Sequence, residues 1–217
     1  MAQPMIERLK AAGLVAVVRA ESADAALHIA DALVAGGVTA LEITYTVPGA
    51  GDVIRALAAR YADGDVLIGA GTVLTAAQAA DAIDGGAGFV VSPCLVPEVM
   101  DVCAERHVPA LPGAMTIREV VDCLHHGAQI VKIFPADLFG PAILKDIHGP
   151  LPDVQLMPTG GVTADNVGDW IRAGAVCVGV GGELTRGAKT GDWAAVTAAA
   201  TTFSTNVKRA REEMGNR

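Results

Sequence analysis

VKIFPA, residues Val131 to Ala136, sets one ammonium inside a run that otherwise reads as a buried strand. Side chains along a strand alternate between faces, so Ile130, Lys132 and Phe134 share one face and Val131 and Ile133 share the other. A lysine is rarely buried without a reason, because desolvating its charge is costly and the usual escape is a lowered pKa. A lowered pKa leaves a free amine, the nucleophile that forms a Schiff base with a carbonyl compound. Taken alone, the stretch also fits an edge-strand lysine that snorkels its ammonium to water.

Outward from this strand, short apolar runs alternate with helical patterns along the chain. LVAVV (Leu14 to Val18) precedes a helix opened by Ser22 and ended by Gly36-Gly37, and ALEIT (Ala40 to Thr44) precedes one over Gly51 to Tyr61. VLIGA (Val66 to Ala70) leads to a helix capped by Thr75 and closed at Gly85-Gly86. FVV (Phe89 to Val91) leads to one over Pro97 to Arg106, and PAL (Pro109 to Leu111) to one capped by Thr116 and closing near Gly127. QIVKIF (Gln129 to Phe134) leads to a helix around Ala142 to Ile147, VQLM (Val154 to Met157) to one over Thr163 to Ala173, and AVCVGV (Ala175 to Val180) to one from Asp192 to about Arg211. These strand-then-helix units predict a single (β/α)8 TIM barrel over residues 1–217, with no linker dividing it. Met1 to Lys10 reads as a short amphipathic N-terminal helix laid against it.

Composition agrees with helices packed on parallel strands. Of the 217 residues 52% are hydrophobic but only 4% aromatic, so Ala, Val, Leu and Ile must build the core. A net charge of −8 argues against nucleic acid or an anionic membrane as partner, since both repel an acidic protein. The four cysteines are dispersed with no CxxC pair, which fits a reduced, cytoplasmic chain without a zinc site.

The unusual residues fall at the carboxyl ends of the strands, the face that carries the site in barrels of this kind. Arg19 follows strand one, Glu42 and Thr44 lie in strand two, GAGT (Gly69 to Thr72) ends strand three, SPC (Ser92 to Cys94) follows strand four and PGAMT (Pro112 to Thr116) strand five. Glu42 shares a face with Ala40 and Thr44 and points inward. Strands two and six are opposite in a ring of eight, so the carboxylate and the amine address one small molecule from two sides. A structural salt bridge between them is the other reading. Gly160-Gly161 and Gly181-Gly182, after strands seven and eight, suit either a phosphate held by backbone N–H groups and a helix N-terminus, or tight turns.

LEIT, IGAGTV, VSP, PG with a following Thr, VKIFPA and PTGGV occur in the order that resembles the class I 2-keto-3-deoxy-6-phosphogluconate aldolase family, which includes 4-hydroxy-2-oxoglutarate aldolases. The resemblance spans nearly the whole chain. It implies Lys132 as the Schiff-base lysine and Glu42 as the general acid/base, with Thr72, Pro93, Phe134 and Thr159 lining a pyruvate pocket. It further implies a homotrimer, no metal and no other cofactor, and as partners a 2-keto acid substrate and pyruvate. Thr44 joins the substrate-binding set from its place beside Glu42, and Gly160, Gly161, Gly181 and Gly182 form the phosphate set. Two departures stand out. The best-known members carry an arginine where this chain has Thr46, and a serine where it has Gly182. The first leaves the substrate carboxylate short of a cation, and Arg19, on the neighbouring strand, is the candidate to supply it; a rim arginine paired with Glu21 or Asp24 is the alternative.

The expected reaction is retro-aldol cleavage of a 2-keto-3-deoxy-4-hydroxy acid, foremost 2-keto-3-deoxy-6-phosphogluconate (KDPG), to pyruvate and an aldehyde. The galactonate epimer, an unphosphorylated 2-keto acid and 4-hydroxy-2-oxoglutarate are the neighbouring substrates. A phosphosugar isomerase or epimerase on the same barrel would share the glycine loops without requiring Lys132.

Overall fold

The computed structural model describes residues 4–215. Its elements are α1 (Met5–Ala12), β1 (Leu14–Val18), α2 (Ala23–Ala35), β2 (Ala40–Thr44), α3 (Ala50–Arg60), β3 (Leu67–Gly71), α4 (Ala76–Asp84), β4 (Val90–Val91), α5 (Pro97–Glu105), β5 (Ala110–Leu111), β6 (Gly113–Ala114), α6 (Ile117–His125), β7 (Val131–Ile133), α7 (Ala142–His148), β8 (Leu156–Pro158), α8 (Val167–Arg172), β9 (Val178–Val180) and α9 (Trp193–Gly215). The helix starts follow their caps. Ser22 accepts from the Ala25 N–H, Thr75 accepts from the Gln78 N–H, and Thr116 with Glu119 forms a reciprocal capping box. Each cap is worth about 1 kcal/mol.

The strands are parallel and buried on both faces. They run in the order β5-β4-β3-β2-β1-β9 in one sheet and β6-β7-β8 in a second. Only Pro112 separates β5 from β6; it has no N–H to offer a ladder, while its carbonyl accepts from the Lys132 N–H at 2.9 Å. At the far edge β8 approaches β9 through one bridge, Thr159 with Gly179, and the Val176 N–H donates to the Leu156 carbonyl at 3.1 Å. The result is an α/β fold whose parallel strands curve into a barrel-like wall.

Two apolar layers hold it. The larger packs the helices against the outer face of the strands. The smaller gathers Val15, Ala40, Leu67, Phe89, Leu111, Ile130, Met157 and Cys177 from the inner face with Ile6 and Leu9 of α1, so the N-terminal helix closes the amino-terminal end of the wall. The helix expected over Met1 to Lys10 is therefore α1, its first three residues lying outside the described ones.

Several boundaries differ from expectation. The sixth and eighth strands are shorter than their apolar runs, because the chain bends at Gln129-Ile130 and Val176-Cys177 and turns at Phe134. The helix expected from Thr163 begins at Val167. Thr163 and Asn166 bond each other's backbone N–H groups through their side chains, a local turn that outcompetes the first helical residues.

Candidate active site

The inward alternation that puts Ala40 and Ile130 in the lower apolar layer puts Glu42 and Lys132 two residues higher. Both are buried, Glu42 fully and Lys132 to 4% exposure. Lys132 Nζ lies 4.0 Å from Glu42 Oε1 and 5.1 Å from the centre of the Phe134 ring. The 4.0 Å separation is at the edge of ion-pair range and beyond hydrogen-bonding range, about 2.7–2.9 Å for a charged N–H···O contact. The pair stays open, and among the described residues neither carboxylate oxygen of Glu42 has a hydrogen-bond partner. Buried polar atoms left so are rare and call for an explanation, of which a catalytic role is one.

Burial raises the Glu42 pKa above the ordinary carboxylate value, and the charges of Lys132 and Arg19 offset part of that rise. Proton transfer at neutral pH calls for a carboxyl moved in this direction. Space for the pair comes from glycine. A Cβ on Gly71 would meet the Glu42 carboxylate, and one on Gly179 would meet Thr159 Oγ1. Gly113 is held to glycine by the Pro93 carbonyl.

Above the pair, a cleft of about 290 Å³ is lined by Arg19, Phe134, Thr159, Gly160, Gly161, Gly181 and Gly182 among others. Seven residues singled out from the sequence thus meet around one space. Thr159 Oγ1 is buried without a hydrogen-bond partner among the described residues. Gly160 and Gly161 take φ of 96° and 69°, which an L side chain resists. No carbonyl among the described residues accepts from the N–H of Gly160, Gly161 or Gly182.

The remaining candidates lie at the same end but differ in contact. Thr72 and Pro93 follow β3 and β4 without lining this cleft, and Thr72 holds a positive φ of 54°. The Thr44 hydroxyl is taken up by the Val18 carbonyl at 3.0 Å and by Thr46. Arg19 pairs with neither Glu21 nor Asp24; Asp24 instead faces His28 at 3.4 Å. Val17, Thr163 and Glu183, which the motifs do not single out as site residues, also line the cleft. Glu183 would repel an anion there, but Arg186 Nη2 holds its carboxylate at 2.6 Å.

Parallel strands that end in a buried amine, an unpartnered carboxylate and a glycine-rich cleft bring together the groups that a lysine-dependent enzyme acting on a small carbonyl compound would need. A family model described as "Aldolase: KDPG and KHG aldolase" matches residues 5–199, and the chain belongs to that family. It is 40% identical over 173 residues to a 2-dehydro-3-deoxy-phosphogluconate aldolase of Pseudomonas aeruginosa, covering 78% of each chain. It is 35% identical over 188 residues to a 2-dehydro-3-deoxy-6-phosphogalactonate aldolase of Escherichia coli K12, covering 86% of this chain and 91% of that one. A crystal structure of KDPG aldolase from Legionella pneumophila, with pyruvate captured at low pH as a covalent carbinolamine intermediate, superposes with a TM-score of 0.84 at 31% identity, over 93% of this chain and 98% of that one.

Proposed function

We propose that this chain is a class I, pyruvate-releasing aldolase in which Lys132 is the Schiff-base lysine and Glu42 the general acid/base. The observation that carries the assignment is the buried Lys132–Glu42 pair held open at 4.0 Å. The free amine of Lys132 attacks C2 of a 2-keto-4-hydroxy acid, and loss of water gives a protonated imine that serves as the electron sink. Glu42, as carboxylate, takes the C4 hydroxyl proton. The C3–C4 bond breaks, its electrons form the enamine of pyruvate, and the aldehyde leaves. Protonation at C3 and addition of water then free pyruvate and the amine.

Phe134, Thr159, Thr72, Pro93 and Thr44 form the surroundings of the pyruvyl group, and Arg19 meets its carboxylate with a charge-assisted contact. The N–H groups of Gly160, Gly161, Gly181 and Gly182 receive the distal phosphate. This differs from the expected helix-terminus site, since the turn at Thr163–Asn166 intervenes before α8.

KDPG is the substrate we assign first. The galactonate epimer is the second reading, favoured by the similarity to the phosphogalactonate aldolase across 86% of the chain. Pyruvate release from KDPG, its galactonate epimer, their unphosphorylated forms and 4-hydroxy-2-oxoglutarate, followed with lactate dehydrogenase, tests both. The fastest turnover is expected with KDPG; a faster epimer transfers the assignment, and no release from any of them overturns the aldolase reading.

The same reading takes the two sheets as arcs of one closed (β/α)8 ring in a single domain over residues 1–217, with β5 and β6 as one strand. It makes the enzyme a homotrimer in the cytoplasm. The exposed Leu74, Met115, Ile117, Leu138 and Phe139, on the segments that follow β3, β6 and β7, are the apolar side chains we assign to the contact between subunits. The four cysteines are free thiols, which fits a reducing compartment. No helix among the described residues is long and apolar enough to cross a membrane.

A further inference from the structure

The turn after β2 carries a hydrogen-bond chain whose direction can be worked out from proton counting. The Thr44 hydroxyl lies 3.0 Å from the Val18 carbonyl and 2.6 Å from Thr46 Oγ1. A carbonyl only accepts, so the single proton of Thr44 goes to Val18. The contact between the two threonines must then be donated by Thr46. With its proton committed, Thr46 offers the space beside it lone pairs alone.

That space is a cavity of about 740 Å³ lined by Arg19, Glu21, Thr46, Thr185 and Lys189, and it shares Val17, Arg19 and Gly182 with the glycine-lined cleft. The turn is fixed from outside. The Tyr45 N–H donates to the Gly71 carbonyl at 2.8 Å, its hydroxyl donates to Asp81 at 2.7 Å, and the Val47 N–H donates to the Thr44 carbonyl at 2.9 Å. Arg19, across the cavity, has no carboxylate within 4.0 Å among the described residues, and its charge reaches Glu42. A guanidinium has five N–H donors and no acceptor, so an acceptor-only hydroxyl lining the same cavity is its complement. The same lone pairs would repel a substrate carboxylate.

We propose that Thr46 is a positioning residue: with a substrate carboxylate bound, it accepts one N–H of Arg19 and so turns the guanidinium fork toward that carboxylate. Position 46 thereby supplies direction while Arg19 supplies charge. This inference rests on the aldolase reading and on Arg19 as the carboxylate's partner.

The test is a double-mutant cycle on borohydride trapping of pyruvate at Lys132, read as the pyruvate concentration giving half-maximal trapping. Thr46→Val should raise that concentration about 3- to 10-fold, the range of one hydrogen bond, with maximal trapping unchanged. Thr46→Ser should stay near wild type. In an Arg19→Ala background Thr46→Val should add nothing, because the group it orients is gone. Thr46→Ala, which cannot crowd its neighbours, should behave as Thr46→Val does and removes misfolding as an explanation. An effect of Thr46→Val that persists at full size without Arg19, or no effect in its presence, overturns the inference alone. Absence of trapping in the wild-type enzyme overturns the aldolase reading and this inference with it.

Discussion

The two ends of the strands' inner face differ in almost every respect although the same strands build both. At the amino-terminal end Ala40, Ile130, Met157 and Cys177 join Ile6 and Leu9 in a closed apolar layer. Two residues on, at the same inward parity, stand Glu42, Lys132, Thr159 and Gly179. Glu42, Lys132 and Thr159 are the buried polar groups there, and Glu42 and Thr159 have oxygens without hydrogen-bond partners among the described residues. A step of two residues, roughly 6.6 Å along a strand, separates a layer that stabilises the fold from one that costs stability. The lower layer gains from burial; the upper one holds desolvated polar groups against their preference for water. The two ends should therefore answer mutation in opposite currencies, stability below and chemistry above.

The largest contrast is expected at Glu42. Glu42→Gln should keep pyruvate trapping at Lys132 largely intact and lower turnover by about 10²–10⁴-fold, the usual worth of a positioned acid/base. Stopped-flow pyruvate release beside borohydride trapping separates the two; turnover within a few fold of wild type would make Glu42 structural. The reverse pattern is expected at Leu9, fully buried beneath the lower layer. Leu9→Ala should cost about 2–5 kcal/mol in chemical denaturation, with activity per folded molecule unchanged.

A smaller effect sharpens the comparison through pH. Burial raises the Glu42 pKa, so between the ordinary value of 4.5 and its raised value the folded chain holds a proton that the unfolded chain releases. Folding stability therefore falls as pH rises through that window, and Glu42→Gln should remove this slope. In catalysis the acid limb of kcat/KM should lie above the ordinary carboxylate range. Arg19 favours the charged carboxylate, so Arg19→Ala should move that limb to higher pH and weaken pyruvate binding by about 1.5–3 kcal/mol. A limb that stays put would separate Arg19 from Glu42 electrostatically.

Much of this was legible in the sequence because burial and parity leave a direct trace. A lone lysine in VKIFPA and a lone glutamate in LEIT break apolar runs, and period-two alternation says which way each points. The helix caps Ser22, Thr75 and Thr116 were legible for a similar reason, since a cap needs only its own side chain and the next turn. What was not legible depends on partners distant in sequence. Nothing near Gly71 indicates that its missing Cβ makes room for Glu42, because that contact crosses from β3 to β2. The late start of α8 rests on a side-chain turn competing with helix, which the apolar period does not record. The Thr46 relay joins the turn after β2 to the end of β1, and only the folded register brings the Val18 carbonyl beneath Thr44.

We assign Lys132, although buried, as the nucleophile. Mass spectrometry of the protein after sodium borohydride treatment with pyruvate tests it most directly. One added mass on the peptide carrying Lys132 is predicted for the wild type and none for Lys132→Ala, which should also lose cleavage. Label on Lys10, Lys145, Lys189 or Lys208 in place of Lys132, or cleavage surviving in Lys132→Ala, would contradict it.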